Sequence, residues 1–143
     1  MREKGNRLVQ YVPDYTVFDL ETTGISANMD DIIEISAVKV KGGIVQDTFS
    51  TLVNPGRHIP AQATKVNGIT DQMVSEAPLI REAMTEFLRF VGEDILVGQN
   101  VIFDYSFLKQ WAVNHKRTFE RNAVDTLKLA RKFLPQEQKK DLA

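Results

Sequence analysis

Asp19 and Glu21 stand two positions apart in the run Thr16-Val17-Phe18-Asp19-Leu20-Glu21-Thr22-Thr23-Gly24. In an extended strand, whose side chains alternate with a period of two, this spacing sends both carboxylates to one face and Phe18 and Leu20 to the other. Two ionised acids side by side on a largely buried strand repel each other and lose hydration, which raises a pKa or costs stability unless donors or a cation offset it. A divalent metal ion is the natural remedy. An exposed strand end with both acids in water also fits D-x-E, so the pair alone leaves the choice open. A third acid, Asp104, closes Gln99-Asn100-Val101-Ile102-Phe103-Asp104. It falls in the first turn of a helical pattern, where the helix dipole favours negative charge. Taken singly it fits a dipole-stabilising residue equally well.

The elements that must position these acids follow from hydrophobic period and turn chemistry. Residues 1–14 are polar and end in Pro13-Asp14, as a leader or linker would, and the domain is expected over 15–143. Strands are predicted over 15–20, 32–41 and 44–53, the last two joined by the hairpin signal Gly42-Gly43. Residues 54–78, rich in Pro, Gly, Thr and Asn, are expected to form a long loop with one short helical turn near 71–74. Pro78 is expected to open a helix in which Ile80, Ala83, Met84, Phe87, Leu88 and Val91 follow the 3.6 period until Gly92. A short strand at 95–98 precedes a second amphipathic helix, with Phe103, Phe107, Leu108, Trp111 and Ala112 on one face. Further on, Asp125 reads as an N-cap, 126–134 as a helix, and Pro135 as its end.

Composition narrows the partners. The 18 Lys+Arg residues nearly balance 19 Asp+Glu, which argues against a protein that coats long stretches of nucleic acid and leaves local contact as the expectation. The absence of cysteine removes disulfide frameworks and Cys-type zinc sites. The charged start and the lack of a long apolar run point to a cytoplasmic protein with no membrane role.

Phe18-Asp19-Leu20-Glu21-Thr22-Thr23-Gly24 resembles the first exonuclease motif of the DEDD superfamily, and Asn100-x-x-Phe103-Asp104 resembles its second. Ile32-Ile33-Glu34-Ile35, Val53-Asn54-Pro55 and Asn67-Gly68-Ile69-Thr70 are similar to segments of its histidine-containing branch, which includes bacterial replicative proofreading domains. The resemblance runs from Tyr15 to the C-terminus. It implies an α/β, ribonuclease-H-like fold: a mixed sheet with antiparallel opening strands, flanked by helices. It implies two divalent metal ions, about 3.5–4 Å apart, with Asp19, Glu21 and Asp104 as catalytic metal ligands. Magnesium is the expected ion for carboxylate-only ligation, and manganese fits the same chemistry. Nucleotides would leave from the 3′ end of single-stranded DNA, in company with a DNA polymerase or helicase subunit or domain. Ile69 is expected to pack on the terminal nucleotide. Thr22, Thr23 and Gly24 are expected to contact its backbone or sugar, and Asn100 and Phe103 to shape the neighbouring wall. A short-RNA 3′–5′ exoribonuclease and a non-catalytic 3′-end-binding module remain the alternatives.

The resemblance also implies a third motif, a histidine five residues before a last metal-binding aspartate, after the segment similar to Val124-Asp125-Thr126-Leu127. No such pair follows before Ala143. A chain without its general base and one metal ligand has reason to be inactive, and the expectation is that this sequence stops short of that motif. His115 with Glu120 copies the spacing in the wrong place and reads as a helix-end residue; His58 lies in a Pro-rich loop. Asp30-Asp31 reads as a solvated loop. Arg131, Lys132, Lys139 and Lys140 read as a solvated helical face. Glu34 alternates with Ser36 and could stand beside the acid-bearing strand as a supporting group.

Overall fold

A computed structural model describes residues 14–98 and 101–115. The expectations placed on residues 1–13, on Asn100 and on everything after His115 lie outside those residues. Four strands form one mixed sheet in the order β3-β2-β1-β4. β1 (Tyr15–Thr22) pairs antiparallel with β2 (Ile32–Lys41) and parallel with β4 (Ile95–Gly98), and β2 pairs antiparallel with β3 (Ile44–Leu52). This is the mixed sheet with an antiparallel opening that the sequence predicts.

The β2–β3 hairpin turns at Gly42 and Gly43, both at positive φ (59° and 78°), which suits the right-handed twist of the strands. Asp14 accepts a hydrogen bond from the Gly42 amide at 3.2 Å and ties the start of β1 to that turn. β1 runs two residues further than its apolar alternation suggests, and its register shifts between Glu21 and Thr22.

The segment expected as a loop with one short helical turn holds α1 (Ala61–Asn67), which was not expected, and α2 (Asp71–Val74), which is that turn. α1 starts after Pro60 with no side-chain cap and buries only Ala63, so it leaves no amphipathic signature in the sequence. Gly68, at φ 77°, ends it with its amide on the Thr64 carbonyl. α3 (Ile80–Val91) begins two residues after Pro78, because Leu79 is held extended in a bridge to Asn54 and becomes the N-cap. Glu82 reaches back to accept from the Leu79 amide at 3.3 Å.

α3 and α4 (Val101–His115) cover one sheet face. Phe18 and Leu20 of β1, Ile35 and Ala37 of β2, and Leu96 of β4 meet Met84 and Phe87 from α3 and Phe107, Leu108, Trp111 and Ala112 from α4. The Phe87 ring sits 5.8 Å from that of Phe18 and 6.1 Å from that of Phe49, the tilted contacts aromatic rings favour. A smaller cluster, Ile33, Ile59, Ala63, Ile69 and Val74, anchors the 54–78 segment. Lys39 and Asp94, both little exposed, pair at 2.5 Å and join β2 to the α3–β4 turn. Among the described residues no helix is long and apolar enough to cross a membrane.

Candidate active site

With Phe18 and Leu20 in the core, alternation brings Asp19 and Glu21 to the other face of β1, both half-buried. The antiparallel register sets Ser36 opposite Asp19 and Glu34 opposite Glu21. Partners in register share a face, so Glu34 joins the two acids. Burial first, then the Asp19 carboxylate, then Glu34 push the Glu21 carboxyl above its ordinary value. A donor set of crowded carboxylates that holds a proton too tightly is also one that a hard divalent cation relieves, so Asp19 and Glu21 fit such an ion.

Asp104 arrives differently. It is 1% exposed in the first turn of α4. Its Oδ2 lies 3.6 Å from where a Cβ on Gly98 would stand, and the Phe18 ring lies 3.2 Å from the same point. Gly98 pairs with Phe18, the residue before Asp19, so the absence of a side chain there lets α4 start close against the acid-bearing strand. Among the described residues no three acid or histidine side chains gather into one metal-holding group. The three expected ligands thus divide into a pair on β1 and a buried third at the neighbouring β4–α4 junction.

After Glu21 the chain folds back in a tight loop over residues 22–31. The Thr22 hydroxyl donates to the Gly24 carbonyl at 2.6 Å. The Thr23 amide donates to the Asp31 carbonyl, and the Asp31 amide to the Thr23 hydroxyl, each at 2.9 Å. Asp30 accepts from the Ser26 amide at 2.9 Å. Arg57 pins the loop from outside, donating from Nε to Asp31 at 2.7 Å and from its other end to the Met29 carbonyl. Asp30 and Asp31, read from sequence as solvated, are therefore what closes the loop.

This loop forms one wall of an open cleft of about 340 Å³. Glu21, Thr22, Thr23, Gly24 and Ile25 line one side, Gln62, Ala63, Val66 and Asn67 of α1 the other, and Phe103 of α4 contributes beside them. Thr22, Thr23, Gly24 and Phe103 are brought together here with Glu21, at the end of the carboxylate pair. Ile69 is placed elsewhere: at 3% exposure it packs with Ile33, Ile59 and Val74. Val66, in the unpredicted α1, is an exposed apolar side chain on the cleft wall. Asn67 was also missed, although the Asn-Gly dipeptide it begins is a turn signal. His58 pairs with Asp71, away from the acids of β1.

Comparison with known proteins gives a consistent set of likenesses. Residues 16–143 match the Exonuclease (RNase_T) family. The DNA polymerase III epsilon subunit of Aquifex aeolicus is 42% identical over 122 residues, covering 85% of this chain and 60% of that protein. A PolC-type DNA polymerase III of Caldanaerobacter subterraneus is 47% identical over 118 residues, covering 82% of this chain and 8% of the polymerase. The chain thus spans only part of the length of these relatives. Among solved structures, exonuclease X in complex with 5′ overhanging duplex DNA is 31% identical, with a TM-score of 0.56 over 65% of this chain and 52% of its own. Escherichia coli exonuclease I with an oligonucleotide, 18% identical, has a TM-score of 0.60 over 67% of this chain and 23% of its own, a likeness of the ribonuclease-H-like fold.

Proposed function

Because the chain belongs to the Exonuclease (RNase_T) family, we propose that residues 15–143 form a metal-dependent 3′→5′ exonuclease domain of the proofreading type, acting on single-stranded DNA ends. The observation that carries this reading is the join between carboxylates and cleft. Glu21 belongs both to the acid pair of β1 and to the lining of the cleft. A terminal nucleotide seated there has its phosphodiester beside Asp19 and Glu21.

Asp19 and Glu21 would hold divalent metal, with Asp104 as the third acid; magnesium is the ion proposed, manganese its functional equivalent, and two ions the number. When bound, such ions supply charge neutralisation at the phosphate and an activated water. The chain's own residues supply position. The 22–31 loop holds its shape through its own hydrogen bonds, so Thr22, Thr23 and Gly24 line the cleft in a fixed arrangement. Phe103 and Val66 give apolar surface on which a base stacks whatever its identity, which suits removal of any nucleotide. An unpaired end fits such a cleft; a paired terminus presents no free base face to it. The relatives' names support a polymerase as the companion, and a cytoplasmic location, where a bacterial polymerase works.

The test is degradation of 5′-labelled single-stranded DNA and the matching RNA, with magnesium or manganese, by the chain extended to include the third motif that the resemblance implies, beside an Asp19→Ala control. A ladder shortened from the 3′ end of DNA, absent in the control, is the expected result. Products that persist in the control, or an RNA-only ladder, would overturn the assignment.

A further inference from the structure

The two walls of the cleft belong to segments 45 residues apart, and Asn67 holds both. Its Nδ2 donates to the Thr22 carbonyl at 3.2 Å, and its Oδ1 accepts from the Ile69 amide at 3.0 Å. The Ile69 amide is a donor only, so it fixes which end of the side chain is the oxygen. The NH₂ is thereby aimed at the Thr22 carbonyl, in the peptide that joins Thr22 to Thr23. Reversing the amide would set donor against donor and carbonyl against carbonyl. Asn67 is the last residue of α1, and Gly68 with Ile69 leads straight into the buried cluster of Ile33, Ile59 and Val74. The anchor on one side of the brace is therefore core, and the other is the register break at the end of β1.

We infer that Asn67 is a positioning residue: its side-chain amide braces α1 against the Thr22 carbonyl and sets the spacing of the cleft that receives the terminal nucleotide. This rests on the exonuclease reading of the cleft. Asn67 touches no reacting atom in this role; it acts through the Thr22–Gly24 backbone and the Val66 wall. The alternative is a plain turn role, in which the side chain only stabilises the chain reversal at Gly68 by accepting from Ile69.

Aspartate separates the two. Asn67→Asp keeps an oxygen for the Ile69 amide, and aspartate suits turns as asparagine does. It has no donor for the Thr22 carbonyl and sets a carboxylate oxygen against it. The experiment measures binding of a fluorescent oligothymidine in EDTA, and KM and kcat with manganese in the chain extended to include the third motif, for the wild type, Asn67→Asp, Asn67→Ala and Asp19→Asn. With the brace, Asn67→Asp and Asn67→Ala both weaken binding and raise KM by about tenfold or more, the scale of one lost hydrogen bond, while kcat changes little. Restoration of wild-type binding and KM by Asn67→Asp overturns the brace in favour of the turn, and so does wild-type binding in both variants. Should Asn67→Asp fail to fold, Asn67→Ser takes its place in the same comparison, because its short hydroxyl still accepts from the Ile69 amide in a turn but does not reach the Thr22 carbonyl. Asp19→Asn is expected to lose turnover while binding in EDTA. A wild type that binds no 3′ end overturns the exonuclease reading itself, and the brace with it.

Discussion

Glu21 of β1 faces Glu34 of β2 directly across the antiparallel ladder, with Asp19 two residues along on the same face. Like charges in register destabilise a sheet, and here burial first, then repulsion from Asp19 and Glu34, raises the Glu21 carboxyl above its ordinary value. At a pH below the unfolded value both states carry the proton and nothing is lost. As pH rises through the unfolded and then the folded value, folding must hold an ionised Glu21 that the unfolded chain holds more easily. Glu21→Gln should therefore stabilise the metal-free protein at neutral pH and leave it unchanged in acid. The gain should stay within about 1 kcal/mol, since Glu21 is partly solvated. Urea unfolding in EDTA at a series of pH values checks this; a gain independent of pH would show that charge is not its source.

The same crowding predicts how the protein responds to metal. A divalent ion bound only by the folded state raises the melting temperature in step with its concentration above the dissociation constant. Manganese should stabilise the wild type measurably at millimolar concentration and do little for Asp19→Ala or Glu21→Gln. Equal shifts in all three would place the ion elsewhere.

Asp104 calls for a separate measurement because it is buried at the β4–α4 junction rather than grouped with the β1 acids. Asp104→Asn keeps its shape and removes its charge. If Asp104 serves the metal centre, the exonuclease rate should fall by at least about 100-fold, while stability moves by less than about 2 kcal/mol. A rate within threefold of wild type would make Asp104 a packing residue at Gly98.

The acids of β1, the hairpin, and the helices α3 and α4 were legible because each depends on local pattern: a period of two, a Gly-Gly turn, a period of 3.6. α1 was not. It buries a single alanine and carries β-branched Thr64 and Val66, and what fixes it is Gly68 at one end and distant packing through Ile69. With α1 hidden, the far wall of the cleft, with Val66 on it, was hidden too. Glu34 was ambiguous by sequence because its partner depends on register, which only pairing with Glu21 settles. Asp30 and Asp31 looked solvated because their partners are a loop amide, Thr23 and a remote arginine.

Asp94 should matter to stability more than an exposed acid would. It accepts from Lys39 at 2.5 Å and from the fully buried Thr16 hydroxyl at 3.0 Å, and the Lys39 ammonium also lies 5.2 Å from the centre of the Phe90 ring. Asp94→Ala strands an ammonium and a hydroxyl in a little-exposed place, at a cost of about 3 kcal/mol in urea unfolding. The double substitution Lys39→Met, Asp94→Leu should recover most of that, because removing both charges leaves neither uncompensated. A double variant as unstable as Asp94→Ala would mean that packing around Asp94, not charge, is decisive.

Gly24 is predicted to be replaceable only together with Asp30. A Cβ at Gly24 would stand 2.3 Å from Asp30 Oδ2 and 2.5 Å from its Cγ, too close for any side-chain contact. In Gly24→Ala the carboxylate must leave, and with it the hydrogen bond from the Ser26 amide. The expected cost is about 1–2 kcal/mol, with weaker oligonucleotide binding because Gly24 lines the cleft. Asp30→Ala alone loses the same hydrogen bond at a similar cost. In that background nothing remains for the new methyl to displace, so Gly24→Ala should add little further loss, and the two substitutions should be strongly non-additive. Additive losses in urea unfolding would show that Gly24 is required for a reason other than the close approach of Asp30.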